Sequence, residues 1–425
     1  MVKIAVLGYG GRGKIYAFLS RNLPQVKGKV KVVAVIDNNP EKLAQAKKVN
    51  KLDDDQVFLD YDEFLKSERK ADVLFICTQD KQHYEHTMKA LDAGYDIVLE
   101  KPVSPDIGEC LAIEKKALEL GRKIDVCHVL RYTNFYNKTK EVIDSGVLGD
   151  IIAIEMIENV GYWHYAHSYI RGDWRNTAES SPMILAKCCH DMDIATYLAD
   201  SDCEYVASFG ELKHFKKENA PEGAADRCLN GCKAKADCPY DVDKIYTKWF
   251  NRIPQPIRST LWPYNRLVTD GKINKASLRK ALEEGQFGRC VYHSDNDVVD
   301  SQYTQMRFEN GINCHLIMTA YSNRIYRQIR VRGTKGELIG DMSENKLYYK
   351  LFGKKKVNIR LPFLHKFSGH GGGDEGMMRR FAKGALQTDI SKSIESHLMS
   401  MAAEESRIND NKKVYIKDFK AKHSK

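Results

Sequence analysis

Hydrophobic positions in the first third of the chain come in two alternating kinds. Short unbroken apolar runs at Ile4–Leu7 (IAVL), Lys31–Ile36 (KVVAVI), Ala71–Cys77 (ADVLFIC), Tyr95–Leu99 and Lys123–Cys127 suit strands covered on both faces. Between them, apolar residues recur at helical spacing, as at Ile15, Phe18 and Leu19. Helices are predicted over Pro40–Asn50, capped by Asn39 with Pro40 in the first turn, and over Gln82–Asp92 and Ile107–Leu120, which stop at Gly94 and Gly121. Strand and helix alternating with short connections over residues 1–127 imply a parallel sheet, with ligands beyond the carboxyl ends of its strands.

The pattern changes near His128. Asn134–Ser145 reads as a helix stopped by Gly146, and Ile151–Glu158 (IIAIEMIE) alternates as a strand with one covered face. Val299–Phe308, Asn313–Ala320, Arg327–Arg332 and Leu338–Asp341 read as further strands, turning at Asn310-Gly311 and Gly333–Gly336. An antiparallel or mixed sheet with a few helices fits residues 128–425. Within it, residues of about 214–295 form a polar, Pro-punctuated, cysteine-bearing insertion. Ser181-Pro182 opens a predicted helix to about Leu198. Asp374 is expected to cap a helix over Glu375–Ala385, leaving His370 near the domain interface, and Ser393–Arg407 is helical.

With 425 residues, 43% of them hydrophobic and 29% charged, the chain has the makeup of a globular protein of two to three domains. Its first residues already read as a core strand and no apolar run reaches membrane-spanning length, so no signal peptide and no membrane partner are expected. Eleven scattered cysteines suit a reducing, cytoplasmic setting. The net charge of +10 is spread along the chain, and the Lys-rich tail (Lys417, Lys420, Lys422, Lys425) reads as a solvated end rather than a nucleic-acid contact.

The chemistry starts at Gly8, Gly10 and Gly13. They stand as G-x-G-x-x-G between a strand and a helix, where they permit a tight turn, approach of the backbone to a pyrophosphate and close helix packing. Asp37 closes the second strand near the spacing of about 20 residues expected for a carboxylate on the adenosine ribose, and its charge favours NAD over NADP. Thr78, His83, Glu100 and Lys101 fall at strand ends on the ligand side. Lys101 there can hold a substrate hydroxyl and stabilise the alkoxide formed as hydride leaves. Lys187, His190 and Asp193 lie three apart on one helical face, so His190 is either a proton shuttle or a satisfied core histidine. The need of a hydride enzyme for a base in its second domain favours the shuttle. The loop Gly161–Arg175 (GYWHYAHSYIRGDWR), with His164, His167, Arg171 and Trp174, suits a polar ring-shaped ligand, although its aromatic residues could simply anchor the loop. Cys228-x₃-Cys232-x₅-Cys238, with Cys290 later, has loosely zinc-like spacing; structural zinc, an iron–sulfur cluster and free thiols are the alternatives. Gly369–Gly376 (GHGGGDEG) lacks the Lys-Ser/Thr of a phosphate-binding Walker loop.

These residues resemble the glucose–fructose oxidoreductase/inositol dehydrogenase (Gfo/Idh/MocA) family. The matches are VLGYGGRG, Asp37, the run Cys77–His83, Glu100-Lys101-Pro102, Arg131-Tyr132, and His190 with Asp193. The resemblance implies an N-terminal Rossmann dinucleotide-binding domain and a C-terminal α/β domain with a large, mostly antiparallel open sheet that often pairs copies into a homodimer or homotetramer. It implies hydride transfer between NAD and a sugar or cyclitol carbon, with Lys101 and His190 handling protons. Cofactor contacts are then expected at Gly8, Gly10, Gly11, Arg12, Gly13, Asp37, Thr78, His83, Glu100 and Lys101. Substrate contacts are expected at Lys101, Tyr132, His164, His167, Arg171, Trp174, Lys187 and His190. One position departs: the family's Asp four residues before the His is Ala186 here, so the carboxylate orienting His190 is expected from Asp193 or Asp191.

Overall fold

A computed structural model describes residues 1–250, 252–254, 262–268, 273–362 and 370–424. The first sheet is all parallel, in the order β3-β2-β1-β4-β5-β6. Its strands are β1 (Val2–Leu7), β2 (Val30–Ile36), β3 (Val57–Phe58), β4 (Val73–Ile76), β5 (Asp96–Leu99) and β6 (Ile124–Val126). Helices cover both faces, so strand interiors such as Ile4–Leu7 are wholly buried. Asn39 caps Pro40–Asn50, as its sequence predicts, by accepting from the Glu41 and Lys42 amides. The first helix, Gly11–Asn22, turns another face inward than expected. Tyr16, Ala17 and Leu19 are buried while Ile15 and Phe18 are exposed, because the Tyr16 hydroxyl finds a buried partner beneath the helix. The two-residue β3 left no apolar run in the sequence.

The second sheet has the order β14-β13-β12-β11-β7-β10-β9-β8-β15 and is antiparallel except where β7 (Ile151–Asn159) runs parallel to β10 (Asn313–Thr319). Its other strands are β8 (Cys203–Glu211), β9 (Ser301–Phe308), β11 (Tyr326–Gly333), β12 (Gly336–Asp341), β13 (Lys346–Leu351), β14 (Val357–Asn358) and β15 (Val414–Tyr415). One face is buried. The other leaves Phe209 and Tyr303 half exposed and stacked at 5.2 Å.

The two sheets share one continuous apolar core. The helix Ile390–Ile408 lies across both, and just before it the Thr388 carbonyl accepts from the Val126 amide, with Asp389 bridging Asp125 at the free edge of β6. The helix Gly373–Phe381 packs on the other face of the parallel sheet, where Phe381 meets Phe75 edge-on at 5.1 Å. It comes this close because a Cβ on Gly373 or Gly376 would sit 2.3 or 2.2 Å from a carbonyl oxygen of Val129 or Tyr132. The insertion has a small core of its own around Val242, Tyr246, Leu278 and Leu282.

Candidate active site

Between β1 and its helix, backbone geometry dictates the glycines. Gly8 sits at φ +89°, and a Cβ there would lie 2.7 Å from the Cys77 carbonyl oxygen; one on Gly13 would lie 2.2 Å from the Gly8 oxygen. Gly10 and Gly11 have nothing within 4 Å of such a Cβ, and the helix start has no side-chain cap. An open, positively polarised helix end of this kind fits a pyrophosphate. Asp37 is held at the end of β2 by the amides of Tyr9 (2.7 Å) and Asn39 (3.0 Å). Lys42 Nζ stands 3.5 Å from its carboxylate, a cation the sequence reading passed over because it lies a helical turn away. Thr78 Oγ1 contacts His86 Nδ1 at 3.0 Å. His83, expected at the cofactor, is instead fully buried, with Nδ1 2.7 Å from the Pro102 oxygen and Nε2 3.3 Å from the Thr78 oxygen, so it ties together the ends of β4 and β5.

Arg12 and Glu100, also expected at the cofactor, are partnered with each other and with the far half of the chain. Arg12 Nε donates to Glu100 at 2.6 Å and Nη2 to Asp374 at 2.6 Å, while Tyr16 donates its hydroxyl to Glu100 at 2.5 Å. Asp374 therefore does not cap its helix; Gly372, at φ +88°, occupies that place. Burial pushes the Asp374 carboxyl up, but Arg12 and His370 outweigh it and hold the group well below the usual carboxylate range. His370 Nδ1 lies 3.1 Å from the other Asp374 oxygen. Gly369, at the start of the same glycine-rich stretch, lies outside the described residues.

Lys101 Nζ donates to the Ala186 carbonyl at 3.0 Å, reaching from the parallel sheet into the second half. The helix predicted from Ser181 to Leu198 is two helices, Met183–Ala186 and Cys189–Ala199, broken at Lys187–Cys188. The Ser181 hydroxyl is buried without a hydrogen-bond partner and caps neither. His190 follows the break. It is buried, and neither ring nitrogen has a hydrogen-bond partner in the protein. Burial, then the Lys101, His370 and His128 charges, hold its pKa well below that of an ordinary histidine. The His370 and His128 rings lie 5.5 and 5.9 Å from it, centroid to centroid. The expected orienting carboxylates point elsewhere: Asp193 pairs with Arg131 at 2.7 Å, Asp191 with Arg327 at 2.8 Å. Lys187 pairs with Glu158 at 3.3 Å.

The aromatic loop divides. Trp174 Nε1 donates to Asp80 (3.2 Å), just beyond β4, and His164 packs edge-on against Trp262 at 4.9 Å with a buried, unpartnered Nδ1. His167 and Arg171 turn away into the insertion instead. His167 Nδ1 meets the Tyr246 hydroxyl at 3.0 Å and its ring stacks on Phe287, while Arg171 donates to the carbonyls of Arg289 and Tyr240, both at 2.8 Å. Tyr132 is likewise committed, its hydroxyl 3.1 Å from Thr388 Oγ1 and accepting from the Gln387 amide at 2.9 Å. His370, His128 and Asp80 were not among the expected site residues. Only His370 carried a signal, its place in GHGGGDEG. The zinc expectation is also corrected: among the described residues no three His, Cys, Asp or Glu side chains can hold a metal ion, and Cys228, Cys232, Cys238 and Cys290 are free thiols.

An open helix end suited to a pyrophosphate, together with a half-buried lysine and a neutral imidazole, fits a nicotinamide-dependent oxidoreductase. The chain belongs to the Gfo/Idh/MocA family: the oxidoreductase family model for the NAD-binding Rossmann fold matches residues 2–128, and that for the C-terminal alpha/beta domain matches residues 140–351. It is 21% identical to the YteT protein of Bacillus subtilis over 81% of this chain and 80% of that one. It is 27% identical to an inositol 2-dehydrogenase of Rhodococcus erythropolis over 53% of this chain and 60% of the relative. Among solved structures, levoglucosan dehydrogenase with NADH and L-sorbose superposes with a TM-score of 0.69 at 16% identity, covering 98% of each chain. An inositol dehydrogenase homolog from Azotobacter vinelandii with NAD+ gives 0.68 at 16% identity, covering 97% of each. No described helix is long and apolar enough to cross a membrane.

Proposed function

We propose that this protein transfers hydride between NAD and a secondary hydroxyl of a sugar, cyclitol or sugar derivative, with residues 1–127 carrying the cofactor and residues 128–425 the substrate. The carrying observation is His190, a buried neutral imidazole with both nitrogens unpartnered beside Lys101. A buried polar group left without a partner costs about 1–3 kcal/mol, a cost recovered when a ligand supplies the hydrogen bond. When bound, NAD supplies the hydride acceptor. Lys101 Nζ holds the hydroxyl oxygen and stabilises its developing charge, and a ring nitrogen of His190 takes the proton. Trp174 offers an aromatic wall, and Asp37 selects the cofactor with a free ribose hydroxyl. The names of the inositol and levoglucosan dehydrogenases support a polyhydroxylated ring as substrate.

His370 favours a second reading of the same site. An imidazole already oriented by Asp374 gives a second proton-handling group beside His190, as required for glycoside cleavage by oxidation, elimination and return of the hydride. The half-exposed Phe209 and Tyr303 on the open sheet face support pairing of copies into a homo-oligomer. A panel of sugars and cyclitols, followed by nicotinamide absorbance and by aglycone release, tests both readings. Net NADH supports the first, and aglycone without NADH the second. Saturable NAD binding with neither would leave a dinucleotide-binding sensor and overturn both.

A further inference from the structure

His190 has no means of its own to keep a proton. It is buried, and burial together with the Lys101 charge disfavours its cationic form. No carboxylate of its own segment turns to it: Ala186 carries none, Asp191 serves Arg327 and Asp193 serves Arg131. A base in this setting has to pass on what it takes up. Two imidazoles, His128 and His370, pack edge-on against it. His128 is fully buried, and the ring beyond it, His397, is locked by the Val103 amide at 2.8 Å and the Ser393 carbonyl at 2.9 Å. That direction is closed.

His370, on the other side, has 28% of its side chain exposed. A tight turn delivers it. The Gly373 amide donates to the His370 carbonyl at 3.1 Å, and Gly371 and Gly372 take φ of +59° and +88°, which residues with side chains rarely adopt. The turn brings Asp374 to 3.1 Å from His370 Nδ1. Asp374 is almost wholly buried, and its other oxygen accepts from Arg12 at 2.6 Å, an ion pair that keeps the carboxylate charged. A charged acceptor at Nδ1 fixes the proton of the neutral ring on that nitrogen. Nε2 is then the nitrogen that takes up a second proton, and the carboxylate stabilises the imidazolium that results. His370 has what His190 lacks: a counter-charge and a way to solvent.

We propose that His370, held by Asp374, receives the proton from His190 and returns it to solvent. The inference rests on the hydride-transfer reading. The substrate hydroxyl loses its proton to one ring nitrogen of His190. The proton on the other nitrogen moves to His370 Nε2, with one water spanning the gap between the rings. The electron pair of the substrate C–H bond leaves as hydride for the nicotinamide, and the carbonyl forms. Asp374 stays charged throughout, and His370 gives up one proton to solvent, which restores both rings to neutrality. His370 acts through His190, so its part is to position and relay the proton rather than to break a bond of the substrate.

The test uses the full chain with NAD and the sugar or cyclitol of the panel that gives the fastest NADH formation. His370→Ala and His370→Gln should each lower kcat by at least about tenfold, a part of the usual worth of acid–base catalysis, with KM within about twofold of the parent. Gln keeps an N–H for Asp374 but takes up no proton, so a merely structural role would leave that variant close to the parent. Added imidazole should raise the rate of His370→Ala by at least about fivefold and leave His370→Gln unchanged. Independently of turnover, NMR of the parent labelled with ¹⁵N-histidine should show the neutral His370 ring protonated on Nδ1. Should His370→Ala fail to fold, the Gln variant and the spectra decide. A loss of less than about tenfold in His370→Gln, a folded His370→Ala that imidazole does not rescue, or a His370 ring protonated on Nε2 overturns this inference alone. A parent that forms no NADH with any member of the panel overturns the hydride-transfer reading, and this inference with it.

Discussion

The two walls of the cleft are made of different material. On the cofactor side the work is done by main chain: two glycines admit backbone contacts below 3 Å, two more leave a helix end open, and one carboxylate is fixed by neighbouring amides. On the substrate side it is done by charged and polar side chains, each held by a partner far away in sequence, as with Lys101 on Ala186, Arg327 on Asp191 and Arg131 on Asp193. A wall of the first kind is marked in the sequence by a glycine fingerprint and a strand-end carboxylate. The second exists only once the chain has folded.

Five substitutions probe that contrast. The largest effect is expected at the point where the walls meet: Lys101→Ala and His190→Ala should each lower turnover by about 10²–10⁴-fold, the usual worth of acid–base catalysis, with NAD affinity little changed. Steady-state rates with titrated NAD would check this, and full activity in both would remove these residues from the chemistry. Next is Arg12→Leu. It strands Glu100 and Asp374 as buried unpaired carboxylates, so unfolding in urea should show a loss of about 3–5 kcal/mol at neutral pH. Because the folded-state pKa of Asp374 is depressed, the parent's stability from this group is present above the ordinary carboxylate pKa and fades on acidification; the variant's acid sensitivity should be correspondingly weaker.

Gly13→Ala forces the first helix off Gly8 and should weaken NAD binding by about 1–3 kcal/mol, read by calorimetry, with the second sheet untouched. The smallest effect belongs to Asp125. Burial and then Asp389 raise its carboxyl to about 6, so its ionisation opposes folding and stability is lost as pH rises from the ordinary carboxylate value through that point. Asp125→Asn should stabilise the protein by about 1–2 kcal/mol at pH 7.5 and by almost nothing at pH 4, as thermal melts at the two pH values would show.

What could be read in the sequence follows the same division. The parallel strands, the Asn39 cap and the glycine fingerprint were legible because each depends on residues within one or two turns of each other. Ile15 and Phe18 misled because helical spacing says which positions share a face but not which face is buried; Tyr16 settled that through Glu100, 84 residues on. His190 could be picked out, yet its neighbours could not. Asp191 and Asp193 are adjacent in sequence but serve Arg327 and Arg131, and the imidazole that does approach, His370, comes from 180 positions away. The same long reach hid the roles of His167 and Arg171, which hold the insertion rather than a sugar.

The main-chain link between Val126 and Thr388 has a bearing on how the protein is made. The last strand of the dinucleotide-binding sheet emerges from the ribosome some 260 residues before the segment that covers its rim. Through most of synthesis that rim is a bare template for another nascent chain. Fragments ending short of Thr388 should therefore be sticky even though every residue of the fingerprint is already present.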